Sequence, residues 1–360
     1  METENILHKK IFSRSDLVNL LQSEGQAKEA LFNFSSKLKN ETVGNSVYLR
    51  GLIEYSNICS KNCFYCGVRR GNKSIERYSL SNAEVLDAAR YAFQNNFGSL
   101  VIQAGERSDR NFVHTISELL KEIQKLSNGQ LRVTLSLGEQ TEDTFKLWRE
   151  SGAHRYLLRI ETSNRELYAK LHPNDRIHNY DERLKSLDLL RKTGYQLGTG
   201  VMVGLPFQTV GILAEDLLFI KSLDVDMVGM GPYVEHELTP LYKYKDELLP
   251  KADRFELSMK MIALLRILMP DINMVATTAM QTLHPQGREI ALRIGANVVM
   301  PNLTPLKYRE DYQLYADKPN IHEDTEESLQ ELELKCAEAG CVIAYNQWGD
   351  SKHYSSRQKY

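Results

Sequence analysis

Tyr48-Leu49-Arg50-Gly51-Leu52-Ile53-Glu54-Tyr55 runs, three residues later, into Cys59-Ser60-Lys61-Asn62-Cys63-Phe64-Tyr65-Cys66. The first stretch is apolar and β-rich and reads as a buried strand. The second sets three thiols within eight residues. A [4Fe–4S] cluster offers one outside position on each of four irons, and cysteine thiolate is the usual donor. Three local thiolates hold three irons and leave the fourth open to an exogenous ligand. Structural zinc is the competing reading, but it needs four donors, commonly two C-x2-C pairs or cysteines with a spaced histidine pair. This loop has no second knuckle and no nearby histidine.

A C-x3-C-x-aromatic-C loop closing a first strand resembles the signature of the radical S-adenosylmethionine (SAM) superfamily. The resemblance implies that the open iron takes the amino and carboxylate groups of SAM. An electron then cleaves the sulfonium C–S bond and gives a 5′-deoxyadenosyl radical. Tyr65, in the last gap, either meets adenine through its backbone and ring or simply packs.

With 360 residues the chain can bury a barrel-sized core. Forty-five basic and 47 acidic residues give a formal net charge of −2, which argues against nucleic-acid and anionic-membrane partners. There is no apolar run of the roughly 18 residues that a membrane span needs. The N-terminus lacks the basic and apolar regions of a signal peptide. Five cysteines, three of them clustered, do not form a disulfide framework. The expectation is a cytoplasmic protein.

Strand-like segments fall at about 48–55, 99–103, 132–137, 155–160, 197–203, 226–230, 273–277 and 296–300, separated by amphipathic helical stretches. Ser81-Asn82-Ala83-Glu84 is a capping box that opens one of them. Eight strands alternating with helices predict an α/β fold, a complete (β/α)8 barrel over residues 48–316. Residues 1–47 read as preceding helices. Residues 317–360 read as a polar loop, a helix over 328–339 and a polar, mobile tail from Ser351.

Barrel active sites gather at the carboxyl ends of the strands, so residues there are the candidates. Gln103-Ala104-Gly105-Glu106 ends the second strand. Gly105 admits a ligand to the backbone and Glu106 can hold a SAM ammonium, matching a glycine–glutamate element of the superfamily. Ser136 and Glu161 are short polar groups among apolar neighbours. Alternation puts Arg155, Leu157, Arg159 and Glu161 on one strand face, either as a structural Arg159–Glu161 ion pair or as an anion-holding cavity. Arg183 is placed to take the methionine carboxylate bidentately. Met227 reads as a core methionine by default. Thr277 and Thr278 end the seventh strand, and Tyr308, Tyr312 and Tyr315 follow the eighth. Their hydroxyls suit a small polar substrate, with tyrosine packing as the alternative.

Ordered matches along nearly the whole chain resemble the HydE family of [FeFe]-hydrogenase maturases. They are Ile53 to Asn57 with the cysteine loop, Gly67 to Arg70, Thr134 to Glu139, Arg155 to Thr162, Asp226 to Pro232, Ala276 to Met280, Gly295 to Thr304 and Tyr308 to Tyr315. The resemblance implies a complete barrel, with SAM held by Ser136, Glu161 and Arg183 besides the cluster. It also implies a substrate cavity including Thr134, Arg155, Arg159, Met227, Thr277, Thr278, Tyr312 and Tyr315. The implied substrate is a small organometallic iron species carrying CO, cyanide and cysteine, made by HydG. Its product goes on toward the HydF scaffold, and an electron donor is a further partner. Some family members carry a second cluster on a cysteine trio near the end of the barrel. Here Asp317 to Gln330 has none, and only Cys336 and Cys341 remain, so one cluster is expected. Methylornithine synthase is the nearest enzyme alternative. Biotin synthase needs cysteines this chain lacks, and an iron–sulfur carrier is the non-enzymatic alternative.

Overall fold

The computed structural model describes residues 2–319 and 325–358. Eight parallel strands curl into one sheet: β1 (Ser46–Ser56), β2 (Ser99–Ala104), β3 (Arg132–Ser136), β4 (Ala153–Leu157), β5 (Gln196–Thr199) and, beyond a short β6 (Met202–Val203), β7 (Met227–Val228). After another short strand, β8 (Gly231–Pro232), come β9 (Asn273–Met274) and β10 (Val298–Val299). Neighbours run β10-β1-β2-β3-β4-β5-β7-β9. The helices between the strands form the outer layer, as parallel pairing requires. Ser81 and Glu84 cap each other's backbone at the start of Asn82–Gln94, as the capping box predicts. Arg110–Leu126 buries Phe112, Ile116, Leu119, Leu120 and Ile123 against the sheet.

Of the complete (β/α)8 barrel that was expected, the eight parallel strands are present, but no ladder joins the two ends of their order. Between β9 and β10 a single parallel bridge, Val275 to Val298, spans the gap. It is supported by Ala276 N donating to Val298 O (2.9 Å) and Asn297 N to Met274 O (2.9 Å). Each of these strands is two residues long, and their ladder pairs are made on the other side, β9 with β7 and β10 with β1. The curled sheet is therefore open along that seam.

Residues 2–42 are helical in the main, and Gly25–Thr42 lies on Lys251–Leu268 through Lys28–Glu256 (2.6 Å). The C-terminal region departs further from expectation. Residues 320–324 of the anticipated polar loop lie outside the described residues, and the following helix begins at Thr325. An unanticipated strand, β11 (Val342–Ile343), then pairs with the start of β1. Residues 346–358, which include the described part of the tail expected to be mobile from Ser351, are docked across the amino-terminal end of the strands. Trp348 O accepts from Ser99 Oγ (2.7 Å) and Arg155 Nη2 (2.6 Å), and Gly349 O accepts from Asn273 Nδ2 (2.8 Å). The Arg132 guanidinium lies 3.6 Å from the Trp348 ring centre. Gly349 holds φ +64° with its Cα against the Tyr48 ring, a place without room for a Cβ. Helix Lys352–Arg357 follows, with His353 bonded to Asp224 (2.7 Å) and Asp271 (3.1 Å), and Arg357 to Asp224 (2.6 Å). These partners are far off in sequence, so a polar composition concealed a docked segment.

Candidate active site

At the opposite, carboxyl end of the strands lies a cavity of about 330 Å³. The cysteine loop forms one side of it and is held by its neighbours before any cofactor arrives. Arg77 donates to four carbonyls, those of Asn57, Val68, Arg69 and Asn72, at 2.6–2.8 Å. Asn57 Nδ2 donates to Glu76 O and Asp311 O, and Phe64 N to Leu171 O. Ser60 N bonds Glu106 O, while Glu106 N donates to Cys59 Sγ at 3.3 Å.

Cys59, Cys63 and Cys66 all line the cavity. Burial, followed by the neighbouring thiols, pushes Cys66 well up, and burial pushes Cys63 up to about 12. These thiols keep their protons until a metal displaces them. Among the described residues no three His, Cys, Asp or Glu side chains converge on a single-ion site. A cubane instead spreads its thiolates over separate irons, so the trio fits a cluster better than zinc.

Tyr65, Gly105, Glu106, Ser136, Glu161 and Arg183 line the same cavity, as do Arg159, Thr277, Thr278, Tyr312 and Tyr315. β4 stops at Leu157 rather than 160, and the chain leaves the sheet with Glu161 at φ +67°. That left-handed backbone costs a non-glycine residue about 1–3 kcal/mol. Glu161 N to Gly200 O and Met202 N to Glu161 O hold it there. The next residues are anchored by Asp216, which accepts from Ser163 Oγ (2.6 Å) and whose carboxyl burial raises to about 6. Arg159 Nη2 sits 3.0 Å from Glu161 Oε2, so the ion pair foreseen as the plainer reading exists, and it exists inside the cavity.

Arg183 is buried, donating to Glu139 Oε1 (2.5 Å) and Arg159 O (2.8 Å), and the Glu139 carboxylate helps hold its charge. Lys61 joins Glu106 (3.3 Å) and Glu139 (2.9 Å), making a network of two cations and two carboxylates. Burial nevertheless pushes Glu106 up, while Arg183 and Lys61 outweigh burial at Glu139 and hold it low. Lys61 and Glu139 were not singled out in the sequence. Nor were Glu54, Gln103 and Lys318, which line the cavity with Lys61. Lys61, inside the cysteine motif, was the one with a positional signal.

Thr134, Arg155 and Met227 do not line this cavity but sit lower in the sheet. Arg155 pairs in register with Thr134, and Met227 Sδ accepts from Arg50 Nη1 at 3.2 Å. Arg155 is bound to Asp350, Trp348 O and Ser99 Oγ. At this level Arg50 Nε, Arg155 Nε and Thr134 Oγ1 are buried without a hydrogen-bond partner among the described residues.

The Radical SAM superfamily description matches residues 53–220. The chain is 46% identical over 88% of its length to the [FeFe] hydrogenase maturase subunit HydE of Thermotoga maritima, covering 88% of that protein. It is 28% identical over 82% of its length to a 3-methylornithine synthase of Methanosarcina acetivorans, of which 81% is covered. The solved structure of methylornithine synthase superposes with a TM-score of 0.79 at 22% identity, over 96% of this chain and 98% of that one. HydG of Carboxydothermus hydrogenoformans gives 0.79 at 20% identity, over 96% and 79%. The protein is thus a radical SAM enzyme. Within that superfamily it belongs to the HydE family of hydrogenase maturases. Membership implies a [4Fe–4S] cluster and SAM. Among the described residues no helix is long and apolar enough to cross a membrane.

Proposed function

We propose that this enzyme reductively cleaves SAM and acts on a small organometallic iron–cysteine species bearing CO and cyanide, during assembly of the hydrogenase H-cluster. The observation that carries the reading is that the three cluster cysteines share one cavity with Glu161, Arg183, Arg159 and a wall of hydroxyl side chains. Cys59, Cys63 and Cys66 hold the cluster, which when bound supplies the electron that breaks the sulfonium bond. Tyr65 meets adenine, and Gly105 and Glu106 receive the amino group. Ser136, Glu161 and Arg183 orient the rest of SAM. Arg159, Thr277, Thr278, Tyr312 and Tyr315 face the substrate. Thr134, Arg155 and Met227 lie a level below this cavity and serve the substrate by supporting its floor, where Arg50 Nε, Arg155 Nε and Thr134 Oγ1 are the polar atoms without a partner among the described residues. The Val275–Val298 seam closes the barrel in the working enzyme, with residues 1–47 and 317–360 as additions to it. The enzyme works in the cytoplasm, served by an electron donor and by maturases of the HydG and HydF kinds. The test is complementation: the gene should restore hydrogen evolution to a strain lacking its own HydE. Normal SAM cleavage without restored maturation would reject the substrate assignment.

Two further outcomes follow from this division of labour. Removing one member of a buried charge pair costs about 2–5 kcal/mol. Arg183→Ala is expected to weaken SAM binding by that amount and to cut 5′-deoxyadenosine formation even without substrate. Arg159→Ala is expected to lose maturation activity, with a smaller fall in uncoupled SAM cleavage. Equal loss of SAM binding in both variants would refute the division. A single cluster is also expected. Cys336 and Cys341 lie far along the chain, and Lys39 Nζ sits 3.4 Å from Cys341 Sγ. Replacing both cysteines with Ala should leave iron content unchanged. A loss of about two irons per chain would reveal a second cluster site.

A further inference from the structure

Glu54 and Lys318 form an ion pair inside the cavity, and neither belongs to the cofactor network. Glu54 sits on the inward face of β1, two residues beyond Leu52, and both line the cavity. Its side chain is 2% exposed and that of Lys318 is 9% exposed. Glu54 is fixed from three directions. Asn302 Nδ2 donates to Oε2 at 3.0 Å, Thr304 Oγ1 accepts from its N–H at 2.9 Å, and Tyr78 OH donates to its carbonyl at 2.9 Å. Lys318 Nζ meets Glu54 Oε1 and donates to Tyr312 O at 3.2 Å.

Lys318 arrives on a strap, residues 312–318, of which Tyr312, Leu314, Tyr315 and Lys318 line the cavity. Leu314 O accepts from Gly67 N (2.9 Å), Ala316 N donates to Glu235 O (3.3 Å), and Tyr315 OH shares a 2.6 Å bond with Thr278 Oγ1. Beside them Thr277 Oγ1 lines the cavity, buried without a hydrogen-bond partner among the described residues.

Taking two charges out of water costs more than their attraction returns unless the geometry is excellent, and an apolar pair of similar size would often stabilise more. A carboxylate and an ammonium side by side, opening onto an internal cavity, complement a zwitterion. We infer that Glu54 and Lys318 bind the α-ammonium and α-carboxylate groups of an amino-acid moiety in the substrate. The assignment rests on the function proposed above and names the end of the substrate that the strap covers. Glu54 accepts the ammonium, Lys318 turns from Glu54 to the carboxylate, and Thr277 Oγ1 supplies a further hydrogen bond.

The test uses reconstituted, anaerobic, full-length protein with S-adenosylhomocysteine filling the cofactor site. Titration calorimetry measures binding of S-methyl-L-cysteine, 2-(methylthio)ethylamine, which lacks the carboxylate, and 3-(methylthio)propionate, which lacks the ammonium. The wild type should prefer the zwitterion by about ten-fold or more over each analogue, as expected for losing a charge-assisted hydrogen bond. Lys318→Met should erase the preference over the amine and keep that over the acid. Glu54→Gln should do the reverse, and Lys318→Arg should restore the preference lost in Lys318→Met. No zwitterion preference in the wild type, or an unchanged pattern in both variants, would overturn the assignment and leave the pair as a latch for the strap. Wild-type 5′-deoxyadenosine formation, assayed separately, keeps the two readings apart. Its absence would sink the proposed function, while its presence without zwitterion selectivity would sink only the Glu54–Lys318 assignment.

Discussion

Cys63→Ser is expected to hold no site-differentiated cluster and to lose more than about 1,000-fold in reductive SAM cleavage, the scale for removing an essential group. Wild-type protein reconstituted anaerobically should carry about four irons per chain. The fold should survive, because the loop is held by Arg77, Asn57 and the Phe64–Leu171 bond rather than by the thiol. Serine is close in shape to cysteine, and an unpartnered buried hydroxyl costs about 1–3 kcal/mol. Iron content, 5′-deoxyadenosine yield and circular dichroism check the three parts. A wild-type chain that took up one zinc and no iron chromophore would refute the cluster assignment.

Asp350→Ala should be among the most destabilising substitutions outside the hydrocarbon core. Arg155 is fully buried and its paired carboxylate belongs to Asp350, which also bonds His154 Nε2 (3.0 Å) and Gln196 Nε2 (3.1 Å). Breaking a buried pair from one side leaves an uncompensated charge, at a cost of about 3–5 kcal/mol. His154 and Arg155 hold the Asp350 carboxyl far below the usual carboxylate range. Its folded value is depressed, so its contribution is fully present above the unfolded value of about 3.9 and is lost as pH falls through the folded one. Acid unfolding of the wild type should contain this component, and Asp350→Asn should lack it. Urea titrations between pH 3 and 7 check both. A loss below about 1 kcal/mol at pH 7 would place Asp350 with ordinary surface pairs.

Much of the upper barrel was legible in the sequence because its signals are local. The apolar run of β1, the Ser81–Glu84 box and the thiol spacing each fit within a dozen residues. Alternation along 155–161 also brought Arg159 and Glu161 into one cavity, although the strand ended early. It could not show that Arg155 sits a level lower, because that depends on which residues of the tail reach it. Strands of two residues, such as β9 and β10, carry too little pattern to reveal where pairing stops. Lys318 and Glu54 are 264 residues apart and look like surface charges in isolation. The tail from Ser351 read as mobile, and the docking of the residues just before it went unseen, because the partners of this segment, Arg132, Arg155, Asp224 and Asn273, lie on four different parts of the barrel.

The docked C-terminal segment also sets an order of events during synthesis. The strands leave the ribosome first, with Arg50 and Arg155 facing an unsealed floor, and the residues that seal it, 342–357, emerge only after all eight. A prematurely terminated chain would still carry every cysteine of the iron-binding loop and nearly all of the sheet. It would nonetheless expose two unneutralised guanidinium groups at its base. Until residues 342–357 dock, the base of the sheet therefore stays open and charged even when the iron-binding loop is complete.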